Sequence, residues 1–370
     1  MWSGSRHPDH YLKYFHQLTF CPPRVDTTVL FPLHEQDDHC TVVAGEVDSG
    51  DGRSHGSHTA PLDACLGKWG CCSMKKLTIL AMTEKGYSVV AAIASAYPGM
   101  IGAVVGAHDT SVANDFFEEI AGLCRESGIP FFSRPESYSV QTEYVLAVSW
   151  RWIVNVEPSR LIVFHDSLLP RYRGFNPLVT SLINGDTTIG VSALYAGTEY
   201  DRGEIVSQSA SAISYPITIQ DAIGTILKNY RELATEIAGS LYREEAPVGT
   251  PQCESDASYS LWRDEEDYYV DWTQPATTVE RTVDALGTPY RGAASIIEGK
   301  VVRVLAAKAV DDIAVANRTC GKVVFVHDSK PVVVCGKGLL RIDALVDDSG
   351  NSMLPLTHFR TRFKGAERLC

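Results

Sequence analysis

From Met74 to about Glu245 the sequence alternates short apolar runs with stretches of helical period, and this alternation restricts the fold more than any other feature of the chain. KLTILAM (76–82), IGAVVGAH (101–108), IPFF (129–132), YVLAVSW (144–150), RLIVFH (160–165), TIGVSALYA (188–196) and GEIVSQSASAI (203–213) are of strand length and bounded by polar or turn residues. Between them, YSVVAAIASAY (87–97), SVANDFFEEIAGLCRESG (111–128), FNPLVTSLINGD (175–186) and a long amphipathic stretch over 218–245 read as helices. Ser111 stands as an N-cap, Pro177 near a helix start, and Gly128 and Gly185 as stops. Strands and helices at this spacing predict a mostly parallel, doubly wound, Rossmann-like α/β sheet with helices on both faces. Such sheets bind ligands at the carboxyl ends of their strands.

The character changes twice. After a polar linker, EEAPVGTPQCESDASYS (244–260), one helix is predicted over 278–288, followed by strand-like segments at 292–299, 300–310, 320–328 and 331–346. Short strands with Gly-bearing turns predict a small β-barrel-like, OB-like domain. Before Met74, residues 1–73 hold five of the ten cysteines and seven of the eleven histidines without a recurring ligand spacing. They are expected to form a poorly ordered extension ahead of a start at Met74, rather than a metal module. The expected division is therefore 1–73, 74–250 for the catalytic domain, and 251–370 for linker and β-rich domain.

Composition narrows the partners. The net charge of −12 argues against a nucleic-acid partner, which asks for a basic face. No apolar stretch reaches membrane-spanning length, and no secretory signal precedes the domain. Scattered cysteines without paired C-x-x-C spacing predict reduced thiols in a cytoplasmic protein that binds no metal.

One strand carries the chemistry. RLIVFH ends at His165 and opens into a polar loop, DSLLPRYRG (166–174). GTEYDRGEIV (197–206) places Asp201 in a loop between two further strands. An imidazole beside a carboxylate relays protons near neutral pH. Taken singly, each residue is as well explained by structure, since His165 ends an apolar run and Asp201 sits in a Gly-flanked turn.

The succession FHDSLLPRYRGFNPLVTSLINGDTTIGVSALYAGTEYDRGEIV resembles the core of the formyltetrahydrofolate-dependent formyltransferases. YYVDW, ALGTPYRGA and GKGLLRI resemble the smaller domain of the tRNA-type and sugar-type enzymes, so the likeness spans about residues 74–365. The resemblance implies transfer of a formyl group from 10-formyltetrahydrofolate to an amine, with His165 and Asp201 in the family's histidine and aspartate positions. It implies a pterin pocket walled by Trp150, Arg151, Trp152, Ile153, Gly197, Thr198, Glu199 and Tyr200, largely through backbone groups. Ser167, Leu168, Leu169 and Pro170 would shape the adjoining turn. Trp150 and Trp152 are equally readable as packing aromatics. The family has asparagine two residues before the histidine, where this chain has Val163, whose side chain donates no hydrogen bond. Asn176 and Asn155 are the candidate substitutes. Asp166 also departs from the family pattern and is expected to help bind a cationic amine. The expected acceptor is a small amine, on a nucleotide-linked sugar or another metabolite. A methionyl-tRNA-type acceptor, hydrolysis of the folate, and folate binding without turnover stay open as alternatives, as does a homodimer.

Overall fold

The computed structural model describes residues 43–44, 76–109, 112, 114–134 and 138–366. Of the 1–73 stretch expected to be poorly ordered, only Val43–Ala44 are described, in a two-residue parallel pairing with Ser139–Val140, and the rest lies outside the described residues.

The first apolar runs are buried on both sides, which suits the middle of a parallel sheet. The strands are β1 Leu77–Ala81, β2 Ile101–Gly106, β3 Phe131–Ser133, β4 Tyr144–Val148, β5 Leu161–His165, β6 Thr188–Tyr195 and β7 Ile205–Ala212. They form one sheet in the order β7-β6-β5-β4-β1-β2-β3. The β1–β2, β2–β3, β1–β4 and β4–β5 pairs are parallel, while β6 and β7 run antiparallel at one side. The chain leaves β1 toward β2 and later returns to its other side with β4. In sheets of this kind ligands bind at the carboxyl ends where the strand order reverses, and β5 delivers His165 to that end of the sheet.

Alternate residues of each strand serve different layers. Ile79, Leu146, Ile162 and Phe164 join the core formed with helices α1 Thr83–Ala96, α2 Phe117–Glu126, α3 Pro177–Asn184 and α4 Ile219–Tyr242. Leu80, Val105, Val145, Ala147 and Leu161 form a second cluster, covered by Phe132, Tyr138, Trp150, Val154, Val156 and Ala196. Helices were expected on both faces; among the described residues all four lie on one, and loops cover the other. Among the described residues between β3 and β4 there is only the two-residue strand Ser139–Val140, and the ten residues of that connection are too few for a crossover helix. Helix α2 also opens later than Ser111, at Phe117. Asn114 accepts a hydrogen bond from the Phe116 amide at 3.1 Å and Asp115 one from the Phe117 amide at 3.0 Å, satisfying donors at the helix start.

The C-terminal part contains α5 Ala276–Ala285 and strands β8 Ala293–Ile297, β9 Lys300–Val310, β10 Val323–His327, β11 Lys330–Val334 and β12 Leu339–Asp347. These strands form one antiparallel sheet in the order β8-β9-β12-β11-β10. Helix α5 seats it against α3, where the Arg281 Nε donates to the Ile183 carbonyl at 3.0 Å.

Candidate active site

His165 is the last residue of β5 and only 8% exposed. It shares the loop-covered face of the strand with Leu161 and Val163, as period-two alternation requires. Its Nε2 lies 2.8 Å from the Tyr172 carbonyl. A carbonyl only accepts, so Nε2 carries the hydrogen and donates it. Nδ1 is left facing the Asp201 Oδ1 at 3.6 Å, longer than a hydrogen bond and within ionic reach only when Nδ1 also carries a proton.

The route of the chain explains the approach of Asp201. Strand β6 runs antiparallel to β5 and ends near its start, where the Ala196 amide donates to the Leu161 carbonyl. Residues 197–201 then run back toward His165, along the face that carries Val163. The loop closes through the Tyr195 amide on the Glu204 carbonyl, and a Cβ on Gly203 would stand 1.8 Å from the Tyr195 oxygen, so a glycine is required there. Asp201 itself sits at φ +56°, and its Oδ2 accepts the Gly174 amide at 2.8 Å. Gly174 has φ +96°, and an added Cβ would meet the Ser260 carbonyl at 2.5 Å.

Asp166, the next residue in the chain, turns the opposite way. It pairs with Lys85 on α1 and accepts from the Tyr230 hydroxyl on α4. Burial alone would raise its carboxyl. The Lys85 charge and hydrogen bond, the Tyr230 hydrogen bond and the His165 charge outweigh that and hold it below the usual carboxylate value. Burial, with Asp166 beside it, pushes the Tyr230 phenol well above its usual value. The expectation that Asp166 serves a cationic amine is therefore corrected: its counter-charge is Lys85.

The expected pocket residues fall into two groups. Trp150 and Ala196 pack on the same buried cluster, so the 150–154 stretch and the loop that follows Ala196 border one face of the sheet. Trp150 and Trp152 meet edge to face at 5.1 Å, the Arg134 guanidinium lies 4.0 Å over Trp152, and Arg151 pairs with the buried Asp109. Ile153 is 86% exposed. Gly197, Thr198, Glu199 and Tyr200 are exposed, with Glu199 paired to Arg202. Ser167 and Leu168 belong to the turn: the Ser167 hydroxyl donates to the Arg171 carbonyl at 2.7 Å, and Leu168 fills the space beside Gly190. Asn155 is exposed, whereas Asn176 is half-buried, two residues beyond Gly174, at φ +48° and with no side-chain cap bond.

Sequence reasoning missed the Tyr172 carbonyl, the Gly174 amide, and the partners on Lys85, Tyr230, Gln252 and Glu254. Gly174 alone carried a visible signal, as a glycine ending an arginine-rich turn.

Residues 137–238 match the family described as formyl transferase, and residues 263–362 match the formyl transferase C-terminal domain; together these segments cover more than half of the chain. Methionyl-tRNA formyltransferase from Nitrosococcus oceani is 34% identical over 194 residues, 51% of this chain and 58% of that protein. The protein of the same name from Roseiflexus is 28% identical over 224 residues, 59% of this chain and 66% of that protein. The chain thus spans less than two thirds of the length of the curated relatives it matches. Among solved structures, WlaRD, a sugar 3N-formyl transferase, superposes with a TM-score of 0.58 at 15% identity, covering 77% of this chain and 99% of that one. An N-formyltransferase from Helicobacter canadensis gives 0.57 at 16% identity, over 73% of this chain and 99% of that one. The likeness in fold extends over both sheets.

Proposed function

Starting from a chain that belongs to the formyl transferase family, we propose that it transfers a formyl group from 10-formyltetrahydrofolate to the primary amine of a small acceptor, with His165 and Asp201 moving the protons. The observation that carries this reading is the buried imidazole whose Nε2 is spent on a carbonyl while Nδ1 faces a carboxylate across 3.6 Å.

In this reading the amine nitrogen forms a bond to the formyl carbon, and the bond from that carbon to the folate nitrogen breaks. One proton leaves the amine and one reaches the folate nitrogen. Nδ1 and the Asp201 carboxylate are the pair able to accept and return it, and the fixed Nε2 contact keeps the ring from turning away. The oxyanion that develops on the formyl oxygen needs a donor. Val163 offers none, and Asn176 supplies it through its uncapped amide. The pterin lies against the 150–154 stretch and the 197–200 loop, where Trp152 and Ile153 offer apolar surface and the loop offers backbone groups. The two structural neighbours above were crystallised with 5-N-formyl-THF and with folinic acid, which agrees with a folate donor.

The acceptor is a small amine rather than tRNA. The chain is acidic overall, and the arginines around the site are committed to carboxylates: Arg151 to Asp109, Arg171 to Asp186, Arg173 to Glu254, Arg202 to Glu199 and Glu254. Incubation with 10-formyltetrahydrofolate and a panel of amines, read by mass spectrometry, should show one acceptor gaining a single formyl group. Formate release without any formylated amine would make the protein a hydrolase instead. Folate binding without turnover would make it a binding protein, and failure to bind reduced folate would remove the reading altogether.

A further inference from the structure

Residues 244–260 read in sequence as a plain polar linker, yet they supply the groups that fix Asp201. We propose that Gln252 is a positioning residue that holds Asp201 against His165, anchored in turn by the buried Arg173. This inference rests on the formyl-transfer reading only for its kinetic consequence.

The Gln252 side chain makes four hydrogen bonds, all that an amide has to give. Its Nε2 donates to the carbonyls of Asp201 and Gly203, each at 2.8 Å. Its Oε1 accepts from the Arg173 Nε at 3.0 Å and Nη2 at 2.8 Å. The orientation of the amide is unambiguous, because carbonyls cannot donate and a guanidinium cannot accept. Arg173 is fully buried and forks onto Glu254, at 3.0 Å and 2.9 Å. Glu254 also receives Arg202, the residue after Asp201, at 3.0 Å. The Arg173 amide donates to the Ser258 carbonyl, and Arg173–Gly174 pairs in parallel with Tyr259–Ser260.

Asp201 is therefore gripped on its backbone carbonyl by Gln252, on its carboxylate by the Gly174 amide, and through its neighbour Arg202 by Glu254. All three grips lead back to Arg173 or the residue beside it. The grip has something to resist: Asp201 has a left-handed backbone, φ +56°, which is unfavourable for a residue with a side chain. With the Gln252 bonds lost, the loop relaxes and the carboxylate drifts from Nδ1. The folate-facing stretches 150–154 and 197–200 contain none of these contacts.

Gln252→Glu separates positioning from packing. The variant keeps the shape and the acceptor oxygen for Arg173, but it turns a carboxylate toward two carbonyls. With the full-length protein, kcat is expected to fall by about a hundredfold, far more than KM for 10-formyltetrahydrofolate rises. The Gly174 amide should lose more protection from deuterium exchange than the fall in global stability accounts for. Unchanged exchange at Gly174 together with full kcat would overturn the proposal. If Gln252→Glu does not fold, Gln252→Ala is read the same way. The exchange measurement needs no turnover, so a wild-type protein that transfers no formyl group refutes the functional reading and leaves this inference separately tested.

Discussion

The two faces of strand Leu161–His165 treat their acids differently. On the helix side, Asp166 is closed in by the Lys85 ammonium and the Tyr230 hydroxyl, and the Tyr230 ring stacks on Phe164 at 5.6 Å. On the loop side, Asp201 is held by a backbone amide and by Gln252 and reaches the imidazole only to 3.6 Å. The first arrangement is complete: charge, counter-charge and hydrogen bond are all internal. The second fixes position through backbone groups and leaves the facing atoms of the imidazole and carboxylate short of a closed hydrogen bond. A buried polar group finished in the first way serves folding, and one finished in the second way keeps capacity for a proton in transit.

The largest expected effect breaks the loop-side pair. His165→Ala should lower kcat/KM by about a hundredfold to ten-thousandfold while calorimetry with 5-formyltetrahydrofolate shows donor binding retained. Full activity in that variant would end the assignment of the site. Asp201→Asn keeps an oxygen for the Gly174 amide and removes only the charge, so a loss of the same order would place the effect in the electrostatics of the pair. Next in size is Asn176→Ala. If its amide meets the developing oxyanion, kcat falls by roughly a hundredfold or more with KM little changed, as steady-state kinetics would show. An unchanged kcat would leave Asn176 as a helix-start residue.

The helix-side pair should respond in stability instead. Lys85→Met leaves the half-buried Asp166 without its counter-charge and should cost about 3 kcal/mol at neutral pH, measured by denaturant unfolding. The pH dependence has a definite sign. The carboxyl of Asp166 is held below its ordinary value, so the stability it contributes is present above the unfolded value near 4 and is lost as pH falls through the lower folded value. The variant lacks that contribution, so the gap between the two proteins should narrow in acid. The folded fraction of Lys85→Met should still transfer formyl groups. A loss of kcat as large as that of His165→Ala would erase the distinction between the two faces.

This contrast marks where the sequence is legible. The strand and helix alternation was readable because it depends on residues within one turn or one pleat of each other. His165 and Asp201 stand out locally as a strand end and a Gly-bounded loop, but their pairing was an expectation carried by the resemblance, and the structure brings them to 3.6 Å. The single-sided helix layer was legible too, in the eleven residues between IPFF (129–132) and YVLAVSW (144–150), which are too few for a crossover helix, but alternation elsewhere outweighed that spacing. The role of Asp166 was misread because its partners lie 81 and 64 positions away, and Gln252 was passed over because its carbonyl partners are 51 and 49 positions away. Hydrophobic period reports which face a residue occupies, and carries no information on which distant cation or amide will meet it there.

A third acid extends the comparison to the C-terminal part and carries the smallest effect. Asp284 lies on α5, where burial and then the nearby Glu280 push its carboxyl up to about 6. Here the folded state holds the proton longer than the unfolded chain does. Stability therefore falls as pH rises from about 4 to about 6, and stays lower above that range. Asp284→Asn removes the charge and with it the slope. Because a buried amide also costs free energy where its hydrogen bonds are incomplete, the gain at pH 7 should be about 1 kcal/mol, shrinking to nothing near pH 4. Unfolding curves at both pH values test this. A destabilised variant at pH 7 would mean that the Asp284 carboxylate is compensated as Asp166 is, and that burial with a cation is the rule across both sheets.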